Sequence, residues 1–177
     1  MKARAVCCLA LAALLLPATS ATAEAEPSHT DRERRFSLSY QDSLRPAKPP
    51  EGSEAIVYLQ NGPLRASVST FESANRSAYR RDQSKAFFDS IETGIAASTT
   101  SYKRQIRKHQ RIDRAPTLDL SFRRTSASGA REIVWMRFLF RYRFTVVATA
   151  IVPASAKRSQ MREAKNFTES LVPLEKP

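Results

Sequence analysis

Between Thr117 and Val152 the apolar residues return at every second position, and this alternation restricts the fold more than any other feature of the chain. Leu118, Leu120 and Phe122 alternate with Asp119 and Ser121, and Val134, Met136, Phe138 and Phe140 follow in the same rhythm. Side chains of a strand point alternately to its two faces, so the pattern lays an apolar stripe on one face of a sheet. Ser126 to Ala130 (SASGA), with Gly129 inside it, reads as a turn. Arg141-Tyr142-Arg143 reads as a second, tight turn, because an unbroken strand from Glu132 to Val152 would exceed ordinary strand lengths. The second face of Glu132 to Phe140 is mixed, carrying Ile133, Trp135, Arg137 and Leu139. Phe144 to Val152 (FTVVATAIV) is apolar on both faces, which marks a central strand. The segment therefore predicts an antiparallel meander.

Upstream the same reasoning gives more strands. Phe36, Leu38 and Tyr40 alternate with serines, as in a half-buried strand. Arg45 to Ser53, with Pro46, Pro49, Pro50 and Gly52, reads as a loop. Glu54 to Gln60 and Leu64 to Phe71 are β-rich runs around Asn61-Gly62-Pro63, a hairpin signal. Glu72 to Arg81 is polar and reads as irregular. From about Asp82 the period changes: Phe87, Phe88, Ile91 and Ile95 share one helical face, with Asp82 or Ser84 as N-cap. Tyr102 to Arg114 reads as an exposed edge strand, with a short helix as the alternative. A last helix is expected from about Lys157 to Val172, capped by Ser155 and stopped by Pro173, with Met161, Ala164, Phe167 (or Thr168) and Leu171 buried. Neighbouring strands with helices set apart predict an α+β fold, an antiparallel sheet of about six strands flanked by two helices.

The N-terminus has the parts of an export signal. Lys2 and Arg4 precede a short apolar run from Ala5 to Leu16, and Ala21-Thr22-Ala23 supplies a small-x-small cleavage pattern. The run is shorter than the ~20 apolar residues that span a bilayer. Residues 1–23 are thus expected to be a signal peptide, 24–34 a disordered lead-in, and 35–173 a single α+β domain in the periplasm or outside the cell. Cys7 and Cys8 both lie in the signal, so the exported product would hold no disulfide, and its core must hold it together. Losing Lys2 and Arg4 takes the Lys and Arg count from 29 to 27 against 17 Asp and Glu, a net charge of +10. Such a balance attracts anionic partners over long range, and it equally serves solubility.

Phe36 to Tyr40, the helix from Asp82 to Ala96, and the C-terminal run TLDLSF, EIVWMRFLF, RFTVVATAIVP and REAKNFTESL together resemble the PsbP-like family of small exported α+β domains. The resemblance spans about Arg35 to Val172 and lies in element order and apolar pattern. It implies a central antiparallel sheet with flanking helices and non-enzymatic work as an accessory, binding or assembly factor. The chain departs from the family in its scarce glycine and its arginine-rich middle, and no family ligand residue maps onto a position here.

No nucleophile, base and orienting group converge in the sequence as catalysis requires. His29 sits in the lead-in, and His109 lies among cations. A hydrolase built on His109, Asp119 and a distant serine is the least favoured reading. Isolated histidines and the absence of cysteine after residue 8 give no metal-ligand spacing, so neither metal nor cofactor is expected. Asn75-Arg76-Ser77 and Asn166-Phe167-Thr168 match a glycosylation pattern that acts only in eukaryotic export. The candidate interaction residues are Lys103, Arg104, Arg107, Lys108, Arg111 and Arg114 of the basic stretch, with Arg141 and Arg143 of MRFLFRYRF. They suit an acidic envelope protein. The alternative is an anionic polymer (nucleic acid, lipopolysaccharide or acidic lipid), with peripheral membrane contact.

Overall fold

The computed structural model describes residues 27–174, so the expected signal segment lies outside the described residues. Ten strands and three helices appear in the order β1 (Ser28–Asp31), β2 (Phe36–Ser39), β3 (Arg45–Pro46), β4 (Ala55–Asn61), β5 (Leu64–Glu72), α1 (Arg76–Tyr79), α2 (Ser84–Ala97), β6 (Lys103–Ile112), β7 (Ala115–Thr125), β8 (Arg131–Phe140), β9 (Phe144–Pro153), α3 (Arg158–Glu169) and β10 (Val172–Pro173). The fold is α+β with antiparallel sheets, as the alternation predicted. A seven-stranded sheet runs β3-β4-β5-β9-β8-β7-β6, and a three-stranded sheet runs β1-β2-β10. The doubly apolar β9 occupies the middle of the large sheet, and the basic β6 forms one edge.

The strand count exceeds the expected figure of about six because short pieces pair where the sequence reads as loop or tail. Ser28–Asp31 lies in the supposed lead-in, yet it pairs with β2 from Ser28↔Ser39 to Asp31↔Phe36. Its alternation is polar, so only the partner strand reveals it. Arg45–Pro46 pairs with Gln60 and Leu59 despite its proline, at the outer edge where a missing N–H costs no ladder bond. The last helix stops at Glu169 rather than Val172. The Ser170 hydroxyl donates to the carbonyls of Ser39 and Phe167, and Val172 and Pro173 join β2. The helix starts after Lys157, whose N–H donates to Gln160 Oε1 at 3.2 Å, so Ser155 is not its cap. The other long helix begins after Gln83 instead of Asp82 or Ser84, with no side-chain cap.

The large sheet carries a core on each face. On one face Leu64, Ala66 and Val68 of β5, Leu139 of β8, and Ala148, Ala150 and Val152 of β9 pack with Ala164 and Phe167 of α3 and with Phe36 and Leu38 of β2. Trp135 packs against the same cluster, so α3 covers the mixed face of β8. On the other face Leu118, Leu120, Phe138, Phe140 and Val147 meet Ala78 and Phe88 from α1 and α2. Fully burying one such side chain contributes about 1.5–3 kcal/mol, which is how a body without disulfides stays folded. Inside the first core, Arg137 is 5% exposed. Its guanidinium donates to both oxygens of Asp119 at 2.6 and 3.0 Å and to the Glu169 carbonyl at 2.5 Å, joining β7, β8 and the end of α3.

Candidate functional site

The register of the large sheet gathers three chain reversals at one end. Ile112↔Ala115 places the turn Asp113-Arg114 there, Phe140↔Thr145 places Arg141-Tyr142-Arg143 beside it, and Glu72↔Phe144 brings in the end of β5 and the start of α1. Arginines come from each: Arg111, Arg114, Arg141 and Arg143, joined by Arg76, Arg80 and Arg81 around α1. The nearby acids are Glu72, Asp82 and Asp113. Only Arg80 is in an ion pair, with Asp82 at 3.3 Å, among the described residues of this end. Arg111 instead donates to the carbonyls of Arg114 and Tyr79 at 3.2 and 3.3 Å.

Buried Asn75 holds this end in shape. It is 2% exposed, and its Nδ2 donates to the carbonyls of Arg141 (2.7 Å) and Phe144 (3.1 Å) and to Thr145 Oγ1 (3.1 Å). The N–H groups of Ser73 and Asn75 donate to the carbonyls of Arg143 and Tyr142 at 2.9 and 3.3 Å. The Tyr79 hydroxyl donates to the Phe140 carbonyl at 2.9 Å, and burial raises its pKa while nearby Arg141 and Arg111 oppose that rise. Tyr142 sits at the tip of its turn, 56% exposed, with the Tyr79 ring at 5.9 Å and the Arg76 guanidinium 6.0 Å from its centroid. Glu72, Ser73, Arg76, Tyr142, Arg143 and Phe144 line a shallow groove of about 480 Å³.

Arg114 has a backbone cost. Asp113 and Arg114 both have positive φ, +44° and +66°, in a two-residue turn where Asn-Gly or Asp-Gly is the easy choice. A side chain in the left-handed region costs roughly 1–2 kcal/mol that glycine would avoid.

The remaining basic residues divide differently from their sequence grouping. Arg107 pairs with Asp89 and, at 3.0 Å, with Glu92 of α2, and Arg104 pairs with Glu92 at 3.1 Å. A bulge between Arg104 and Ile106 lets both arginines face α2. Hydrogen bonding from Lys85 and then Arg107 lowers the Asp89 pKa. Burial, followed by the hydrogen bond to Glu92, pushes Tyr102 up to about 12. Lys103 and Lys108 are exposed, opposite Arg123 and Asp119 respectively. His109 is exposed and stacks on Phe88 at 5.6 Å. His29 lies in β1, 5.8 Å from the Phe36 ring. Among the described residues no group of three or more His, Cys, Asp or Glu could hold a metal ion. No helix of the described residues is long and apolar enough to cross a membrane.

A second cleft, about 220 Å³, lies between β2 and α3. Its polar groups serve the fold: Glu163 accepts from Ser43 and from Asn61 Nδ2, the latter at 3.1 and 3.3 Å.

The overall shape matches solved structures at low identity. The solution structure of cyanobacterial PsbP (CyanoP) from Synechocystis sp. PCC 6803 superposes with a TM-score of 0.58 at 9% identity, covering 90% of this chain and 98% of that one. The fold is PsbP-like. LpqN, involved in cell envelope biogenesis of Mycobacterium tuberculosis, shares this PsbP-like arrangement with a TM-score of 0.55 at 12% identity, covering 85% and 91%. A Pseudomonas aeruginosa protein of unknown function, a putative regulator, reaches 0.50 at 16% identity, covering 85% and 99%. No family model and no curated protein matches the sequence. The PsbP-like resemblance of the element order is therefore a likeness of fold, carried by spacing and apolar pattern with almost no shared residues.

Proposed function

We propose that this chain is a non-catalytic accessory domain, exported after removal of residues 1–23, that binds an anionic component of the cell envelope. Residues 35–173, with the β1 strand added, act as its single folded unit. The reading draws on the PsbP-like fold and on LpqN, whose described involvement is in cell envelope biogenesis. One observation carries the location of its contact. Arg76, Arg81, Arg114, Arg141 and Arg143 stand together at one end of the sheet without an ion-pair partner among the described residues, whereas Arg104 and Arg107 are occupied by α2. Cations left without carboxylates keep their field for a partner, and convergent charge raises association rate and specificity.

The test is cross-linking in native envelope. The exported chain is compared with a variant carrying Arg76→Gln, Arg141→Gln and Arg143→Gln, at low and high salt. The expected result is a captured component that disappears in the variant and in salt. Equal capture by the variant would sink the reading.

A further inference from the structure

We propose that the arginine-rich end of the sheet docks on an anionic lipid bilayer, with Tyr142 and Phe71 entering the headgroup layer between the arginines. This rests on the reading above that the same end binds an anionic partner.

Two exposed aromatics stand here, Tyr142 at 56% and Phe71 at 47%. Tyr142 is the tip of the β8–β9 turn, and Phe71, next to last in β5 and paired with Thr145, lies at the same end of the sheet. Amphipathic rings favour the headgroup level, where an apolar body and a wet edge are both accommodated. The surrounding arginines supply the matching charge, since a basic cluster is drawn to an anionic leaflet and its long stems reach the interface. The β6–β7 turn, the β8–β9 turn and the end of β5 lie along successive strands of the order β5-β9-β8-β7-β6. Four strand spacings make this row about 19 Å long. A planar surface can engage the whole row together, while a peptide in the groove would meet only two of the arginines, Arg76 and Arg143. Nucleic acid is a poorer fit, because base stacking needs an open ring face and Tyr142 is already flanked by Tyr79 and Arg76.

The experiment sediments the chain from Glu24 onward, which contains every described element, with vesicles of phosphatidylglycerol and phosphatidylcholine and with vesicles of phosphatidylcholine alone. Binding is expected only to the anionic vesicles and should be reversed by salt. Each arginine near an anionic surface is worth about fivefold in partitioning, so Arg141→Gln with Arg143→Gln should lower it about 25-fold. Tyr142→Ser with Phe71→Ser, which leaves the charge unchanged, should lower it about tenfold. Arg131→Gln with Arg158→Gln, at the opposite end of the sheet, should have no more than the small effect of net charge. Circular dichroism of each variant establishes that it folds. Binding that ignores the aromatic pair, or that a soluble anionic polymer reproduces with the same residue dependence, overturns bilayer docking. Absence of vesicle binding, with envelope capture still dependent on Arg141 and Arg143, overturns the lipid proposal and leaves the anionic-partner reading standing.

Discussion

Arg137 offers the sharpest test of how this body is held together. Its side chain is 6% exposed and that of Asp119 is 17% exposed, and a two-pronged contact joins them. Replacing Arg137 with Met leaves the Asp119 carboxylate facing only Gln110 Nε2 at 3.0 Å. It also leaves the Glu169 carbonyl without its donor. Breaking a buried pair from one side costs about 3–5 kcal/mol, because the surviving charge remains desolvated. Asp119→Leu alone strands the more deeply buried guanidinium and should cost as much. The double variant, Asp119→Leu with Arg137→Met, strands no charge and should cost no more than about 2 kcal/mol. Urea unfolding followed by the fluorescence of the single tryptophan, Trp135, reads this directly. With a slope of about 2 kcal/mol per molar, each single variant should lower the midpoint by roughly 1.5–2.5 M. Single costs below about 1 kcal/mol, or a double variant equal to the sum of the singles, would refute the view that the pair is desolvated and coupled.

Other outcomes follow from the same contacts. Tyr102 has a folded pKa near 12 against an ordinary value of 10.0, so its protonated form is favoured in the fold. Its stabilisation is complete below pH 10 and is lost as pH rises through about 12; Tyr102→Phe should flatten that alkaline decline in a thermal-melt series, and an unchanged decline would count against it. Asn75→Ala removes the donor for the Arg141 and Phe144 carbonyls and should cost about 1–3 kcal/mol, with faster amide exchange at 141–145. Arg107→Glu places three carboxylates together and should destabilise by about 2 kcal/mol or more, whereas Lys103→Glu should change little. Arg114→Gly should raise stability by up to about 1 kcal/mol while weakening association; lower stability would show that the turn is unstrained.

The large elements were legible because alternation and helical spacing are local records of burial. Leu118 to Val152 told which faces are apolar, but the mixed face of β8 did not say what covers it, which is α3. The sequence could not show that Ser28–Asp31 and Val172–Pro173 are strands, since each is defined by β2, a partner far away in sequence. The basic stretch was visible, but its division was not. Arg104 and Arg107 are spoken for by Asp89 and Glu92, a fact set by how α2 crosses the sheet. Arg76, Arg80 and Arg81 stand about sixty residues from the Arg141 turn and meet it only through register, so no local pattern joins them to it. The one local clue was MRFLFRYRF, whose arginines flank an exposed tyrosine at a turn.

The small sheet also dictates an order of events. β2 is flanked by β1, made just before it, and by β10, the last made of the described strands. A ribosome or a translocation pore releases the chain from its N-terminus, so Phe36 and Leu38 emerge long before Phe167 and Leu171, the residues that enclose them. Closure of this sheet therefore waits for α3 and β10, and the early hairpin must remain soluble, or be chaperoned, until they arrive.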